Sequence, residues 1–162
     1  MKNILVVWAF TLACVFQLQA GEPGKLYDPA ADAKKQIGAA VVQAQKEGKH
    51  VFVQIGGNWC VWCLRFNTLI STNDSLRNIV NKNFVVVHVN YSKENKNKDV
   101  LTSLGYPQRF GFPVFVILDG KGQRLHTQNS AYLEQGEGHD PKKVLEFLKS
   151  WSPAALDPAQ YQ

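Results

Sequence analysis

Cysteine and methionine are what this chain has least of: three cysteines and one methionine in 162 residues. So few cysteines cannot staple a small fold at several points, so the sequence is not a disulfide-built scaffold. The single methionine is Met1. A Cu(I) carrier would therefore have a thiol pair and no thioether to assist it. Long apolar runs are missing too. The most extended one, Ile4 to Phe16, is interrupted only by Thr11. At about 13 residues it falls short of the roughly 20 needed to span a bilayer. Nor is there a strong charge of either sign. A formal net charge of +5 is too mild to argue for a nucleic-acid partner. There is no internal repeat, and the length suits one domain.

The start of the chain has its own logic. Lys2, the apolar run, and Gln17-Leu18-Gln19-Ala20 before Gly21 follow the charged, apolar, small-residue order of a secretory signal peptide. The pattern predicts that residues 1–20 are a leader cleaved after Ala20. The mature chain is then exported, periplasmic or secreted, with no stable membrane insertion. Cys14 leaves with the leader. Its acylation as a lipoprotein is the alternative, set against by its place inside the apolar run and by Thr11 where a lipobox has Leu. Residues 21–29, with Gly21, Pro23 and Gly24, read as a linker, and residues 152–162, with Pro153 and Pro158, as a flexible tail.

Between them the pattern alternates. Asp28-Pro29 reads as a helix cap, with Ile37, Ala40, Val41 and Ala44 at helical spacing and Gly48 as the stop. Val51 to Ile55 reads as a strand with apolar groups on both faces, hence central. Helix follows from Cys60 to Ile70 and from Leu76 to Val80. Phe84 to Val89 is β-branched and strand-like. Tyr91 to Lys98 is a polar loop, and Asp99 to Leu104 a short helix. Val114 to Leu118 and Gln123 to Thr127 form a hairpin about Asp119-Gly120-Lys121-Gly122. Residues 128–139 read as loop, and Asp140-Pro141 opens a last amphipathic helix to Trp151. Strands separated by helices predict a mixed central sheet with helices on both faces.

The chemistry sits at Cys60-Val61-Trp62-Cys63, directly after the first strand. Bridging two cysteines so close adds little loop-closure stability, so reactivity explains the pair better than stapling. At a helix start the unpaired N–H groups favour a thiolate and lower its pKa. Cys60 is placed as nucleophile, and Cys63, one turn on, can reach a sulfur bonded to Cys60. A c-type haem site needs His after the second cysteine, and Leu64 stands there. Zinc needs further ligands, and His50, His88, His126 and His139 have no finger-like spacing. An inert disulfide remains the structural alternative.

Trp59-Cys60-Val61-Trp62-Cys63 after an apolar strand resembles the thioredoxin superfamily, over most of residues 30–151. Gly111-Phe112-Pro113 before the strand at Val114 resembles that family's cis-proline loop. The resemblance implies a thioredoxin-like three-layer α/β sandwich and a protein-disulfide oxidoreductase without cofactor or metal. It would exchange with protein thiols and disulfides and with a redox partner protein. It also implies that Pro113 is cis, covers the sulfurs, and leaves the Phe112 backbone open to an extended substrate. Trp59 and Trp62 would form an apolar rim for that substrate, Trp62 by surface contact. The sequence departs from the family in carrying Val61-Trp62 between the cysteines and Gln54 where a buried acid is usual. His88 stands where a lysine is common and is the candidate for proton transfer to or from Cys63, titrating near neutral pH. A reading from a different class is a non-catalytic binding module gripping partner chains through Trp59, Trp62 and Phe112.

Overall fold

The computed structural model describes residues 25–162. The expected signal peptide, Cys14 and the first part of the linker lie outside the described residues. The described chain runs α1 Ala33–Glu47, β1 His50–Gly56, α2 Val61–Thr72, α3 Asp74–Asn83, β2 Phe84–Asn90, α4 Lys98–Ser103, β3 Val114–Leu118, β4 Arg124–Asn129, a two-residue pair β5 Glu134–Gln135 and β6 Gly138–His139, and α5 Pro141–Ser150.

Four strands form one mixed sheet in the order β2-β1-β3-β4. β1 pairs in parallel with β2, His50 opposite Phe84 through Gly56 opposite Asn90. It pairs antiparallel with β3, which in turn pairs antiparallel with β4. Every residue of β1 and β3 is buried. Their alternating side chains therefore feed two cores. Val51, Val53, Ile55, Val87, Val89, Val114 and Val116 meet Ala40 and Ala44 of α1 and Leu101 of α4. On the other face Phe52, Phe84, Phe115 and Ile117 meet Phe66 and Ile70 of α2, Leu76 and Val80 of α3, and Val144, Phe147 and Leu148 of α5. Small alanines of α1 meet the valine face, while aromatic rings fill the opposite layer. This is the three-layer arrangement that the strand and helix pattern predicts.

Several local readings change. α1 is capped by Asp32, whose carboxylate accepts the Lys35 N–H at 3.0 Å, and not by Asp28. Asp28 instead closes a turn onto the Ala30 N–H, because the chain must first deliver Tyr27 to the interior. The segment expected to be plain loop at 128–139 holds a 3₁₀ turn at Ser130–Leu133 and the β5–β6 pair. Residues 152–162 form short 3₁₀ turns at Ala154–Leu156 and Pro158–Tyr161. They are tied by Asp157 accepting from Ala159 N–H and by the Tyr161 hydroxyl donating to the Ala155 carbonyl.

Candidate active site at the start of α2

β1 ends at Gly56, and Gly57-Asn58-Trp59-Cys60 turns the chain into α2. The turn is closed by the Cys60 N–H donating to the Gly57 carbonyl at 3.0 Å. Cys60 is the N-cap of α2, with its Sγ accepting the Cys63 N–H at 3.2 Å. That N–H also donates to the Cys60 carbonyl at 3.0 Å, so a first-turn donor is shared with the sulfur. The two cysteines are joined as a disulfide, their Cα atoms 5.3 Å apart. They are not equivalent: Cys60 keeps 5% of its surface open, and Cys63 none.

Trp59 is the exposed aromatic of the motif, 59% open. Its indole N–H donates to the Tyr91 carbonyl at 2.7 Å, and its ring meets Phe112 edge-on with centroids 5.5 Å apart. Tyr91 packs on Phe112 in turn, at 4.7 Å. Gly57 permits this closeness, since a Cβ there would collide with the Trp59 indole and stand 2.9 Å from the Tyr91 carbonyl oxygen. The Phe112–Pro113 peptide bond is cis, and Phe112 packs against the cluster of Tyr27, Cys60 and Cys63. Beside Trp59 lies a groove of about 640 Å³ lined by Asn58, Trp59, Tyr91, Ser92, Lys93 and Lys96 among others. A larger cleft of about 870 Å³ follows the polar residues 93–100 and does not include the cysteines.

Trp62 is half-buried, edge-on to the His139 ring at 5.6 Å, with the Arg65 guanidinium 5.8 Å from its own ring centre. Arg65 also donates to the Glu137 carbonyl, so the β5–β6 pair clasps this side of α2. His139 has both ring nitrogens buried without a partner, and burial lowers its pKa to about 4.

Beneath the sulfurs is a polar group that sequence patterning alone did not assemble. Gln54, fully buried on β1, donates from Nε2 to the Tyr27 hydroxyl at 2.7 Å and to the Cys63 carbonyl at 3.0 Å. Tyr27, from the segment read as linker, is itself fully buried. Asn58 clamps it there, accepting the Tyr27 N–H at 3.1 Å and donating to its carbonyl at 2.7 Å. Gly56 leaves the space this needs. A Cβ at that position would overlap Cys63 Sγ and stand 3.0 Å from the Tyr27 hydroxyl. His88, opposite Gln54 across the β1–β2 pair, meets the Tyr27 ring edge-on at 5.6 Å. Burial lowers its pKa to about 4, and its Nε2 is buried without a partner. His88 therefore does not titrate near neutral pH, contrary to the sequence expectation, because desolvation disfavours the imidazolium. Tyr27 packs on Cys63, and Gln54 bonds its carbonyl. The one sequence signal for Tyr27 was the pair Leu26-Tyr27, apolar in an otherwise polar stretch.

A comparison with known families matches residues 32–120 to the thioredoxin-like family. No curated protein matches the sequence. Among solved structures, a disulphide isomerase from Xylella fastidiosa Temecula1 superposes with a TM-score of 0.68 at 22% identity, over 77% of this chain and 95% of that one. A DsbH oxidoreductase superposes with a TM-score of 0.50 at 19% identity, over 86% and 94%. The family match spans more than half of the chain and contains both cysteines, and the sheet order and the cysteine pair at the start of α2 agree with it: this chain belongs to the thioredoxin-like family.

Proposed function

We propose that this chain is an exported thiol–disulfide oxidoreductase acting on protein substrates, with Cys60 as nucleophile and Cys63 as resolving thiol. The observation that carries the proposal is the asymmetry of the pair. Cys60 caps α2, receives a backbone N–H and reaches the surface, whereas Cys63 is enclosed one turn behind it. A thiolate at Cys60 gains from the helix dipole and from that N–H.

Reduction of a substrate then takes two displacements. The Cys60 thiolate attacks one substrate sulfur, forms a mixed disulfide and expels the other sulfur as a thiolate. Cys63, once deprotonated, attacks Cys60 Sγ, closes the internal disulfide and releases the second substrate sulfur. Two electrons pass from the pair to the substrate, and the reverse sequence oxidises a substrate dithiol. A partner protein of the opposite redox state restores the pair. Trp59 and Phe112 with the adjoining groove offer an apolar seat for an extended substrate segment, and the Phe112 backbone offers strand-like pairing. The names of the two similar structures, a disulphide isomerase and an oxidoreductase, agree with this chemistry. Export rests on the leader pattern of residues 1–20. Among the described residues no helix is long and apolar enough to cross a membrane.

The test is trapping. Cys63→Ser incubated with a disulfide-containing protein accumulates a mixed disulfide through Cys60, seen as a thiol-sensitive mass increase, and Cys60→Ser does not. Loss of exchange in both variants with no adduct in either overturns the assignment.

A further inference from the structure

Tyr27 lies outside the motif and outside the matched family segment, yet its side chain is packed against the resolving cysteine. The orientation of Gln54 is fixed by its partners. The Cys63 carbonyl can only accept, so the Gln54 atom facing it is the amide nitrogen, and that same nitrogen faces the Tyr27 oxygen. The phenol oxygen is therefore an acceptor toward Gln54, and its own proton is directed elsewhere. Among the described residues the hydroxyl makes no hydrogen bond besides the one it accepts. The hydroxyl and Cys63 Sγ both border the small space above the Gly56 Cα. Neither Tyr27 nor Cys63 reaches solvent. In the disulfide the sulfur is a weak acceptor. Opened and deprotonated, it becomes a buried anion with no water to stabilise it.

We propose that the Tyr27 hydroxyl donates to Cys63 Sγ when the disulfide opens, holding that sulfur as the thiolate that performs the second displacement. The inference rests on the oxidoreductase reading of the site and adds the group that makes its buried thiol competent. Tyr27 gives up no proton. Burial raises its pKa far above the ordinary phenol value, so it acts as a donor and not as a base. The proton of Cys63 passes to the substrate thiolate expelled by the first displacement, and atoms and electrons balance as in the scheme above. Among the described residues, the other titratable groups around the sulfur are Cys60 on α2 and, beyond the Tyr27 ring, His88 on β2, neutral at physiological pH. Lys25 and Asp28 flank Tyr27 in the chain and are exposed at the surface. Gln54 on β1 carries no charge.

Losing a hydrogen bond to a charged group changes an equilibrium by about tenfold or more. Tyr27→Phe keeps the ring and removes the donor. In a Cys60→Ser background, the Cys63 thiol of Tyr27→Phe is expected to titrate about one pH unit higher by thiolate absorbance. With both cysteines present, Cys60 attacks a model disulfide at an unchanged rate, while release from the mixed disulfide slows about tenfold at neutral pH. That loss shrinks as pH rises. A merely structural role for Tyr27 would not move the Cys63 titration in this selective way. Should Tyr27→Phe fail to fold, uniform replacement of tyrosine by fluorotyrosine strengthens the donor, and the Cys63 titration is expected to move downward. An unchanged Cys63 titration in whichever of these proteins folds overturns the proposal. The titration is read without substrate, so it stands apart from the trapping test: absent adducts refute the oxidoreductase reading, whereas an unmoved titration refutes the role of Tyr27.

Discussion

At the scale of single residues, the site is built on unequal cysteines and on a glycine that makes room for one of them. Cys60 caps a helix at the surface and Cys63 is sealed beneath it. After reduction, limited alkylation at neutral pH is expected to label Cys60 first and Cys63 only after partial unfolding. Peptide mass mapping of the singly labelled protein checks this, and equal labelling would contradict the burial asymmetry. Gly56 is next. An added Cβ would overlap Cys63 Sγ and crowd the Tyr27 hydroxyl. Gly56→Ala should cost about 1–3 kcal/mol by overpacking, read as a lower urea midpoint. The cysteines were legible because four consecutive residues carry their own chemistry. Tyr27 was not. Its partners Gln54 and Asn58 lie 27 and 31 positions along the chain, and no periodicity links a lone tyrosine to a distant strand end. Gln54 was singled out in the sequence and is buried against the Cys63 carbonyl, but the companion sought for it was His88, which desolvation keeps neutral.

At the scale of elements, boundaries follow side-chain caps more than apolar spacing. Asn73 ends α2, donating its N–H to the Leu69 carbonyl, and starts α3, where its side chain accepts the Leu76 N–H at 3.1 Å. One residue thus serves two helices that both pack on the aromatic face of the sheet. Asn73→Ala keeps the backbone bond and loses the cap, with an expected cost of about 1 kcal/mol. Denaturant unfolding of the variant checks it, and no change would mean that packing of Leu76 and Val80 alone fixes the start of α3. The displaced start of α1 has a similar cause. The sequence pattern pointed to Asp28-Pro29, whereas the cap is Asp32. The choice of Asp32 follows from a tertiary demand, the clamping of Tyr27 by Asn58, after which residues 28–31 are spent on a turn closed by Asp28. The β5–β6 pair was read as loop because two-residue strands carry no alternation to detect. What secures it is the Arg65 bond to Glu137 and the Trp62–His139 contact.

Across the whole molecule, the layered architecture was readable because β1 and β3 are short runs buried on both faces, and such runs require cover on both sides. The same packing leaves two imidazoles largely desolvated and gives the fold a pH dependence. His88 and His139 have pKa values lowered to about 4 by burial, against 6.5 ordinarily. Above pH 6.5 they are neutral both folded and unfolded, and their contribution to stability is fully present. Between 6.5 and 4 the unfolded chain takes up protons that the folded chain refuses, so stability falls as pH falls, by up to about 1.4 kcal/mol per pH unit for each proton. Carboxylates do not share the upper part of this window. Asp32, Glu47 and Glu94 are lowered by hydrogen bonds from the Lys35 backbone, Lys49 and Ser92 respectively. Their contributions hold above the ordinary carboxylate range and are lost only as pH drops below it. The expected result is a urea midpoint that is flat from pH 8 to 7 and declines from about 6.5 to 5, before any acid-paired carboxylate is protonated. His88→Phe with His139→Phe should flatten that decline while leaving the steeper loss below about 4.5. A decline of the same slope in the double variant would place the pH sensitivity elsewhere in the fold.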